Sequence, residues 1–272
     1  MASDVSYRVE LLYRPGRKLP DAELARLVGE LRGVAGTCFD PIPTYQCLVG
    51  TRDALSDKLI ALARRPDGGA AGFCSAVILP VPKVGDVLHL GLTCVRPDAR
   101  SGRLTTRLLS KLVIPYFWRH RGLRRVWCSN VACVLSSLGN VALHFGRVYP
   151  SPFGPERPSA EHLRIARAID ASYRREIHID PGAVLDLDAF VFRGSVPGTV
   201  FQKSADDSRF YHRDRDLNDY YRNRMRFEDG DEVLQVGCMD LGVLLAFLRK
   251  QLRRGRGRGA KAQRPAPSAT GG

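Results

Sequence analysis

The sequence lacks long apolar runs and paired-cysteine motifs, and each absence excludes a class of protein. No stretch approaches the ~20 consecutive apolar residues that a membrane span needs. Charges interrupt the first sixteen residues, MASDVSYRVELLYRPG, so they offer no apolar core for a signal peptide. The seven cysteines form no C-x-x-C pair, and most lie in apolar runs, which argues against zinc and structural disulfides. We therefore expect a cytoplasmic protein without metal or membrane span.

Lysine is scarce, whereas arginine is abundant. The chain has 7 lysines and 35 arginines, with a net charge of +14. Eight of these basic residues, and no acidic residue, lie between Arg249 and the C-terminus, which leaves +6 for the preceding chain. A high positive charge favours nucleic-acid partners, but here more than half of the excess lies in a terminal segment. Net charge alone therefore does not assign a nucleic-acid function to the preceding chain.

Hydrophobic periodicity predicts strands and helices in the first 70 residues. Residues 7–13 alternate as a strand does, and residues 21–33 place leucines at helical spacing behind an acidic start. Residues 44–50 are typical of a short strand. Residues 51–65 carry leucines and an isoleucine at the spacing of a second amphipathic helix, which the Gly68–Gly69 pair would end.

The next 80 residues predict a mixed α/β core. Residues 71–81 and 87–95 are β-rich runs joined by a short polar turn, which predicts an antiparallel hairpin. After Pro97 the pattern becomes helical, and Pro115 is expected to bend or end that helix. Residues 124–130 predict another strand and residues 131–145 another helix. The order strand, strand, helix, strand, helix is typical of a mixed sheet covered by helices.

Four prolines between residues 150 and 158 mark a candidate domain boundary. Beyond it, Ser159 is a candidate N-cap for a helix, and residues 185–196 predict a strand. Aromatic residues between 210 and 227 either line a pocket or pack as core, and residues 232–252 predict a strand that leads into a terminal helix. We predict three parts: a core over residues 1–150, an extension over residues 151–252 that packs on it, and a disordered basic tail over residues 253–272.

The segment VRPDARSGRL, from Val95 to Leu104, connects a predicted strand to a predicted helix. A helix N-terminus presents unpaired backbone N–H groups and the positive end of the helix dipole, so it is suited to bind an anion. Arg100 and Arg103 add positive charge to the same turn. The segment is a candidate phosphate site. An ordinary turn with solvated arginines is the alternative.

At this segment the chain resembles the GNAT superfamily of acyltransferases. In that family a strand runs into V-x-P-x-x-R-x-x-G-x-[GA], whose backbone amides hold the pyrophosphate of coenzyme A, and this sequence matches at Val95, Pro97 and Arg100. The sequence departs at the glycines, because Arg103 and Thr105 occupy those two positions. The resemblance covers about residues 71–149 and implies a GNAT-like α/β fold with a C-terminal extension.

The resemblance also implies a substrate and a binding site. The substrate would be acetyl-CoA or a longer acyl-CoA, admitted between strands 87–95 and 124–130 where the two diverge. Its expected contacts come from the first strand, the turn after it and the end of the second strand: Leu92, Thr93, Val95, Arg100, Ser101, Gly102, Arg103, Leu104, Thr105 and Asn130.

Catalysis in the family is direct attack of an amine on the thioester, without a covalent enzyme intermediate. His89 is the candidate general base, because it lies on the strand that polarises the thioester and imidazole has a suitable pKa; a packed core histidine is the alternative. The family's thiolate-protonating tyrosine usually lies in the helix after the terminal asparagine, but residues 131–145 contain none. Tyr149, just beyond that helix, is the candidate acid, and Cys133, Ser136 and Ser137 are the nearby polar substitutes.

Three functions therefore stay open. The first is acyl transfer to an amine of a small molecule or protein. The second is an inactive GNAT-like protein that binds an acyl-CoA or another anion, which would fit the altered glycine positions and the missing tyrosine. The third is a nucleic-acid-associated protein that uses the arginine-glycine run at residues 253–259 for weak, sequence-independent contact.

Overall fold

A computed structural model describes residues 6–100, 104–120 and 125–249. In this part of the chain, nine strands form one mixed sheet. They are Arg8–Tyr13 (β1), Lys58–Arg64 (β2), Ala70–Val81 (β3), Gly85–Val95 (β4), Val126–Ala132 (β5), Gly146–Tyr149 (β6), Val184–Asp186 (β7), Val191–Arg193 (β8) and Glu232–Met239 (β9). The order across the sheet is β1-β2-β3-β4-β5-β9-β8-β7, and β6 also pairs with β9. Only β4 and β5 pair in parallel; the other pairs are antiparallel.

Helices cover both faces of this sheet. They are Pro15–Lys18 (α1), Asp21–Ala35 (α2), Leu104–His120 (α3), Leu135–His144 (α4), Ala160–Ser172 (α5), Arg215–Arg222 (α6) and residues 241–249 (α7). One face packs on α3 and α4, through residues such as Leu108 and Val141. The opposite face packs on α2 through Leu31 and on α5 through Ile165. No helix within the described ranges is long and apolar enough to cross a membrane.

The sequence prediction was wrong for residues 44–65. Residues 46–48 form a short 3₁₀ helix instead of a strand, and the second half of the predicted second helix is the strand β2. This strand lies between β1 and β3 and is buried on both faces, with Leu59 packed towards α3 and Ile60 towards α2. A strand covered on both faces has no polar alternation, so its apolar residues fit a helical spacing equally well.

Most other predicted elements are confirmed. The hairpin of β3 and β4, the strand β5 and the helices α2, α4 and α5 lie where the patterns indicate, and Ser159 caps α5 through a capping box with His162. Helix α3 continues through Pro115 instead of ending there. The single strand predicted over residues 185–196 is a hairpin of two short strands, β7 and β8. Tyr221 is fully buried and packs as core beside α4.

The sheet continues across the predicted boundary at residue 150. Strand β9 pairs with β5 along the whole of β5, from Val126 opposite Met239 to Ala132 opposite Val233. The segment between β6 and β9 contains α5 and α6, and its two short strands, β7 and β8, extend the same sheet beyond β9. The division into residues 1–150 and 151–252 remains a prediction, and the tail predicted over residues 253–272 lies outside the described residues.

Candidate functional site

The parallel strands β4 and β5 pair only over part of their length. Their register runs from Val87 opposite Trp127 to Leu90 opposite Asn130, and within the described chain no later residues of these strands pair with each other. Strand β4 continues to Val95, still paired with β3 on its other side. The β5-facing edge of residues 91–95 is therefore free of a strand partner. This is the divergence that the resemblance to the GNAT superfamily implies.

The turn after β4 directs the chain into α3. Residues Pro97–Ala99 form a 3₁₀ turn, and Arg100 donates from Nε to the carbonyl oxygen of Val95 at 3.3 Å. Asp98 is paired with Arg65 at 2.6 Å. The side chain of Arg100 is exposed and has no carboxylate partner among the described residues. Three of the predicted contacts, Ser101, Gly102 and Arg103, lie outside the described residues.

An apolar pocket lies between α3, α4 and α7. It opens beside the first turn of α3, and one of its lining residues is Thr105, a predicted contact. The other polar lining residues are Thr106, Ser110, Asn140 and His144; the apolar ones are Leu109, Val113, Ile114, Phe145, Met239 and Phe247. Most of the wall is hydrocarbon with a few hydroxyl and amide groups, which is the usual composition of a small-molecule site.

The predicted contacts on β4 face different ways. Thr93 is exposed beyond the end of the β4–β5 pairing, and its hydroxyl donates to the sulfur of Cys74 at 3.2 Å. Leu92 packs in the core beneath α2, whereas Val95 and Leu104 pack in the core beneath α3. The side chains of Thr93 and Thr105 therefore lie on the α3 side of the divergence. Leu92, Val95 and Leu104 offer only backbone groups there.

Two predicted residues have other partners. The amide of Asn130 donates to Gln235 at 3.2 Å inside the sheet, and Gln235 in turn donates to Tyr221 at 2.7 Å. The hydroxyl of Tyr149 donates to the carbonyl of Asp188, and its ring packs on Phe190. Because β9 and β5 separate Tyr149 from β4, the structure does not bring it to the divergence.

His89 lies within the paired part of the strands, opposite Ser129. Its Nδ1 is 3.0 Å from the hydroxyl of Ser129, and the side chain is buried. Burial, with a smaller contribution from the Lys58 charge, lowers the pKa of His89 to about 3. An imidazole with this pKa stays neutral near pH 7 and is a weak proton acceptor, so the arrangement fits the packed core histidine.

A buried carboxylate that the sequence patterns did not single out lies on the other face of the divergence. Glu232 directly precedes Val233, which pairs with Ala132 at the end of β5. Its carboxylate accepts a hydrogen bond from Ser195 at 2.7 Å. Burial raises the pKa of Glu232 to about 7, against the opposing effects of Ser195 and Lys203. A carboxyl group with this pKa exchanges protons near neutral pH.

Aromatic rings lie on the same face of the divergence as Glu232. Phe201 packs edge-on against Phe39, Tyr45 and His178, with ring centroids 5.0–5.6 Å apart. The thiol of Cys133, which follows β5, donates to the carbonyl of Phe201 at 3.2 Å. Residues before β2 and after β8 therefore meet over the end of β5. Sequence patterns could not find this group, because its members are far apart along the chain.

Gln46 covers the first unpaired residue of β4. A Cβ atom on Gly91 would lie 1.8 Å from Gln46 Oε1, so only glycine fits beneath this amide. The same oxygen accepts a hydrogen bond from Ser75 at 3.0 Å, and the amide nitrogen donates to the hydroxyl of Tyr45 at 2.9 Å. The amide is fixed at both ends, and the backbone of β4 lies directly beneath it.

Within the described ranges, no group of three or more His, Cys, Asp or Glu residues is arranged to hold a metal ion.

The chain is similar in structure to solved GNAT acetyltransferases, at low sequence identity. An acyl-CoA N-acyltransferase from Pseudomonas aeruginosa is 20% identical, with 54% of this chain and 94% of that chain covered and a TM-score of 0.36. A ribosomal-protein-alanine N-acetyltransferase from Brucella melitensis biovar Abortus 2308 is 19% identical, with 43% and 74% covered and a TM-score of 0.30. An aminoglycoside N-acetyltransferase solved with CoA is 15% identical, with 44% and 75% covered and a TM-score of 0.30.

No family model matches the chain, and no curated protein sequence matches it. In the described residues the fold is mixed α/β, with one mixed sheet that has helices packed on both faces.

Proposed function

We propose that the protein is an acyl-CoA-dependent N-acyltransferase, which transfers an acyl group from a CoA thioester directly to an amine. The observation that carries the proposal is the divergence of β4 from β5 beyond Leu90 and Asn130. It leaves an unpaired strand edge that leads through a turn into the N-terminus of α3. The fold neighbours are an acyl-CoA N-acyltransferase and acetyltransferases named for an aminoglycoside and a ribosomal-protein alanine.

The CoA moiety would bind on the face of α3 and α4. Its pyrophosphate would rest on residues 100–105, where backbone N–H groups at the start of α3 and the charge of Arg100 favour an anion. Its pantetheine arm would follow the unpaired edge of β4 past Thr93 and Thr105. The apolar pocket between α3 and α4 suits the hydrocarbon parts of this arm.

The acceptor would approach from the opposite face, so the two substrates meet in the gap between the strands. The amine nitrogen forms a bond with the thioester carbonyl carbon, and the carbon–sulfur bond breaks. A backbone N–H of Leu92 or Thr93 would donate to the oxygen on which negative charge develops. The CoA thiolate needs no strong acid to leave, because a thiol ionises at a pKa near ~8.5. The reaction can therefore proceed without a tyrosine in α4.

Glu232 is the proposed acceptor for the amine's proton. It lies on the face opposite the CoA groove, because its neighbour Leu234 packs with α5. Its pKa of about 7 makes a substantial fraction of the carboxylate available at neutral pH, unlike His89 with a pKa of about 3. The rings of Tyr45 and Phe201, which pack against each other on this face, favour a cationic amine before the proton is lost. The acceptor class is therefore an amine on a small molecule or peptide.

The direct test incubates the protein with acetyl-CoA and a panel of amines and follows both by mass spectrometry. We expect one amine to gain the mass of an acetyl group as free CoA appears in equal amount. Glu232→Gln should lower kcat at least tenfold at pH 7 with the KM for acetyl-CoA unchanged, since general bases contribute about 10²–10⁴-fold. His89→Gln is the matched comparison and should change kcat less.

Binding is measured separately by calorimetry. Replacing Arg100 and Arg103 by alanine should raise the Kd for CoA tenfold or more, because hydrogen bonds to charged groups are each worth about 1.5–3 kcal/mol. CoA binding without turnover of any amine would favour the non-catalytic acyl-CoA-binding protein, the candidate motivated by the missing tyrosine. Failure to bind CoA would contradict both.

A further inference from the structure

Three cationic side chains converge on one tyrosine ring at the end of the molecule away from the CoA turn. The charged groups of Arg14, Lys18 and Arg119 lie 5.4, 5.2 and 4.9 Å from the centroid of the Tyr13 ring. Each charge therefore lies within about 11 Å of the others, close to the Debye length of ~8–10 Å at physiological salt, so their fields add.

No anion in the described chain balances this cluster. None of the three cations has an ion-pair partner there, and Asp21, three residues after Lys18, is paired with Arg52. The Nε of Arg14 is buried and has no hydrogen-bond partner among the described residues. Like charges repel, so an unbalanced cluster of this kind favours an anionic ligand.

The backbone that carries Arg14 and Lys18 is held in place. Gly16, between them, is buried, and a Cβ there would lie 2.1 Å from the carbonyl oxygen of Arg52. Arg52 donates to the carbonyls of Gly16 and Leu19 at 2.6 and 2.9 Å. A fixed backbone reduces the ordering cost of binding through these two cations.

An exposed aromatic residue directly precedes Arg119 in the chain. Trp118, next to Arg119 on α3, is 50% exposed, and it is the exposed tryptophan among the described residues. Cations that neutralise phosphates beside an exposed aromatic ring on which a base can stack are the combination used to bind single-stranded nucleic acid without sequence preference. Arg119 lies fourteen residues beyond Thr105 on α3, a separation of about 20 Å, so this surface is distinct from the CoA turn.

We propose that Arg14, Lys18, Arg119 and Trp118 form a binding surface for single-stranded nucleic acid, with the cations on phosphates and the tryptophan ring stacked on a base. This surface belongs to the folded part of the chain. It is independent of the proposed acyltransferase activity and additional to any contact made by the C-terminal basic segment.

The test measures binding of a fluorescein-labelled oligothymidylate to the full chain by polarisation, from about 50 to 200 mM salt. Lys18→Gln with Arg119→Gln should reduce the slope of log K against log salt by about 1.4, because each phosphate contact to a single strand contributes about 0.7. Arg164→Gln with Arg167→Gln, two exposed arginines of α5 on the opposite face, should leave the slope unchanged.

A second variant separates stacking from charge. Trp118→Ala should weaken binding about tenfold at every salt concentration without changing the slope, because stacking releases no counterions. The Lys18→Gln/Arg119→Gln variant and Trp118→Ala change exposed side chains, so both are expected to keep the wild-type melting temperature. The test therefore does not require a substitution of Arg14, whose Nε is buried. An unchanged slope for Lys18→Gln with Arg119→Gln, or an equal loss in the α5 control, would overturn the proposal. So would retention on anionic phospholipid vesicles without binding of the oligonucleotide.

Discussion

Cys38 differs from the other six cysteines in its surroundings. It is partly exposed, whereas the others are buried, and its sulfur lies 3.6 Å from the carbonyl oxygen of Val95 at the end of β4. A hydrogen bond from Cys94, assisted by Thr37 and Arg100, lowers the pKa of Cys38 to about 5 against the effect of burial. Burial raises the pKa of a core thiol such as Cys47, to about 12. A thiolate reacts faster than a thiol, so reactivity should be confined to one site.

We predict that iodoacetamide at pH 7 modifies Cys38 alone. Intact-mass measurement of the native protein should show one added group, and peptide mapping should place it at residue 38. Cys38→Ser should abolish the reaction, whereas Cys133→Ser should leave it unchanged. Modification of Cys128 or Cys238 at a comparable rate would contradict the described burial of these thiols.

Glu232 should make stability depend on pH. Its pKa is about 7 in the folded state and ~4.3 in an unfolded chain, so between these values the folded state binds more protons. Stability from this group is fully present below about pH 4 and is lost as pH rises through 7, a change of about 4 kcal/mol.

The measurement is urea unfolding of the wild type and of Glu232→Gln at pH 5 and pH 8. The variant should gain about 2–3 kcal/mol relative to the wild type at the higher pH, because the amide does not ionise. Other groups contribute equally to both proteins and cancel in the difference. A pH-independent difference would mean that the carboxylate of Glu232 is solvated.

At the scale of elements, the free end of β4 depends on its contact with the 3₁₀ turn Gln46–Leu48. Gly91→Ala must displace the Gln46 amide, which would break the hydrogen bond from Ser75. We predict a loss of about 1–3 kcal/mol in unfolding free energy. In a Gln46→Ala background the same substitution should cost less than ~0.5 kcal/mol, so the two residues should show coupling in a double-mutant cycle.

Gly29 provides the control for this experiment. It lies in α2, and a Cβ atom at this position would have no other atom within 4 Å, so Gly29→Ala should stabilise the protein by about 0.5–1 kcal/mol. Equal effects of alanine at Gly29 and Gly91 would show that the Gln46 amide does not restrict β4.

At the scale of the whole molecule, β9 completes the sheet that residues 1–150 begin. We predict that a chain ending at residue 150 shows no cooperative thermal transition, because it leaves the apolar strand β5 unpaired along one edge and uncovers Trp127 where α5 packs. A chain ending after Leu252 should keep the full-length melting temperature and CoA affinity, since the remaining residues hold no large apolar side chain. Cooperative unfolding of residues 1–150 would support the domain division at that boundary.

Local patterns were sufficient for elements whose ends are marked by capping or turn residues. Helix α5 has a capping residue and a clean apolar stripe, and the hairpin of β3 and β4 has a polar turn between two β-rich runs. Strand β2 was assigned wrongly because both of its faces are covered, which removes the alternation that identifies a strand. The same limit applies to the pairing of β9 with β5, since nothing local in the sequence indicates that a strand so much later in the chain pairs with β5.

The sequence by itself determined the order of strands and helices from β3 to α4 and the turn from Val95 into α3 with its positive charge; the divergence expected there came from the resemblance to the GNAT superfamily. Only the tertiary structure decided which side chains share the resulting gap. It buries His89 beside Ser129 with a pKa of about 3, directs Tyr149 to Asp188, and places Glu232 at the end of β5. Proton affinity depends on burial and on neighbouring charges, which are set by contacts between distant parts of the chain.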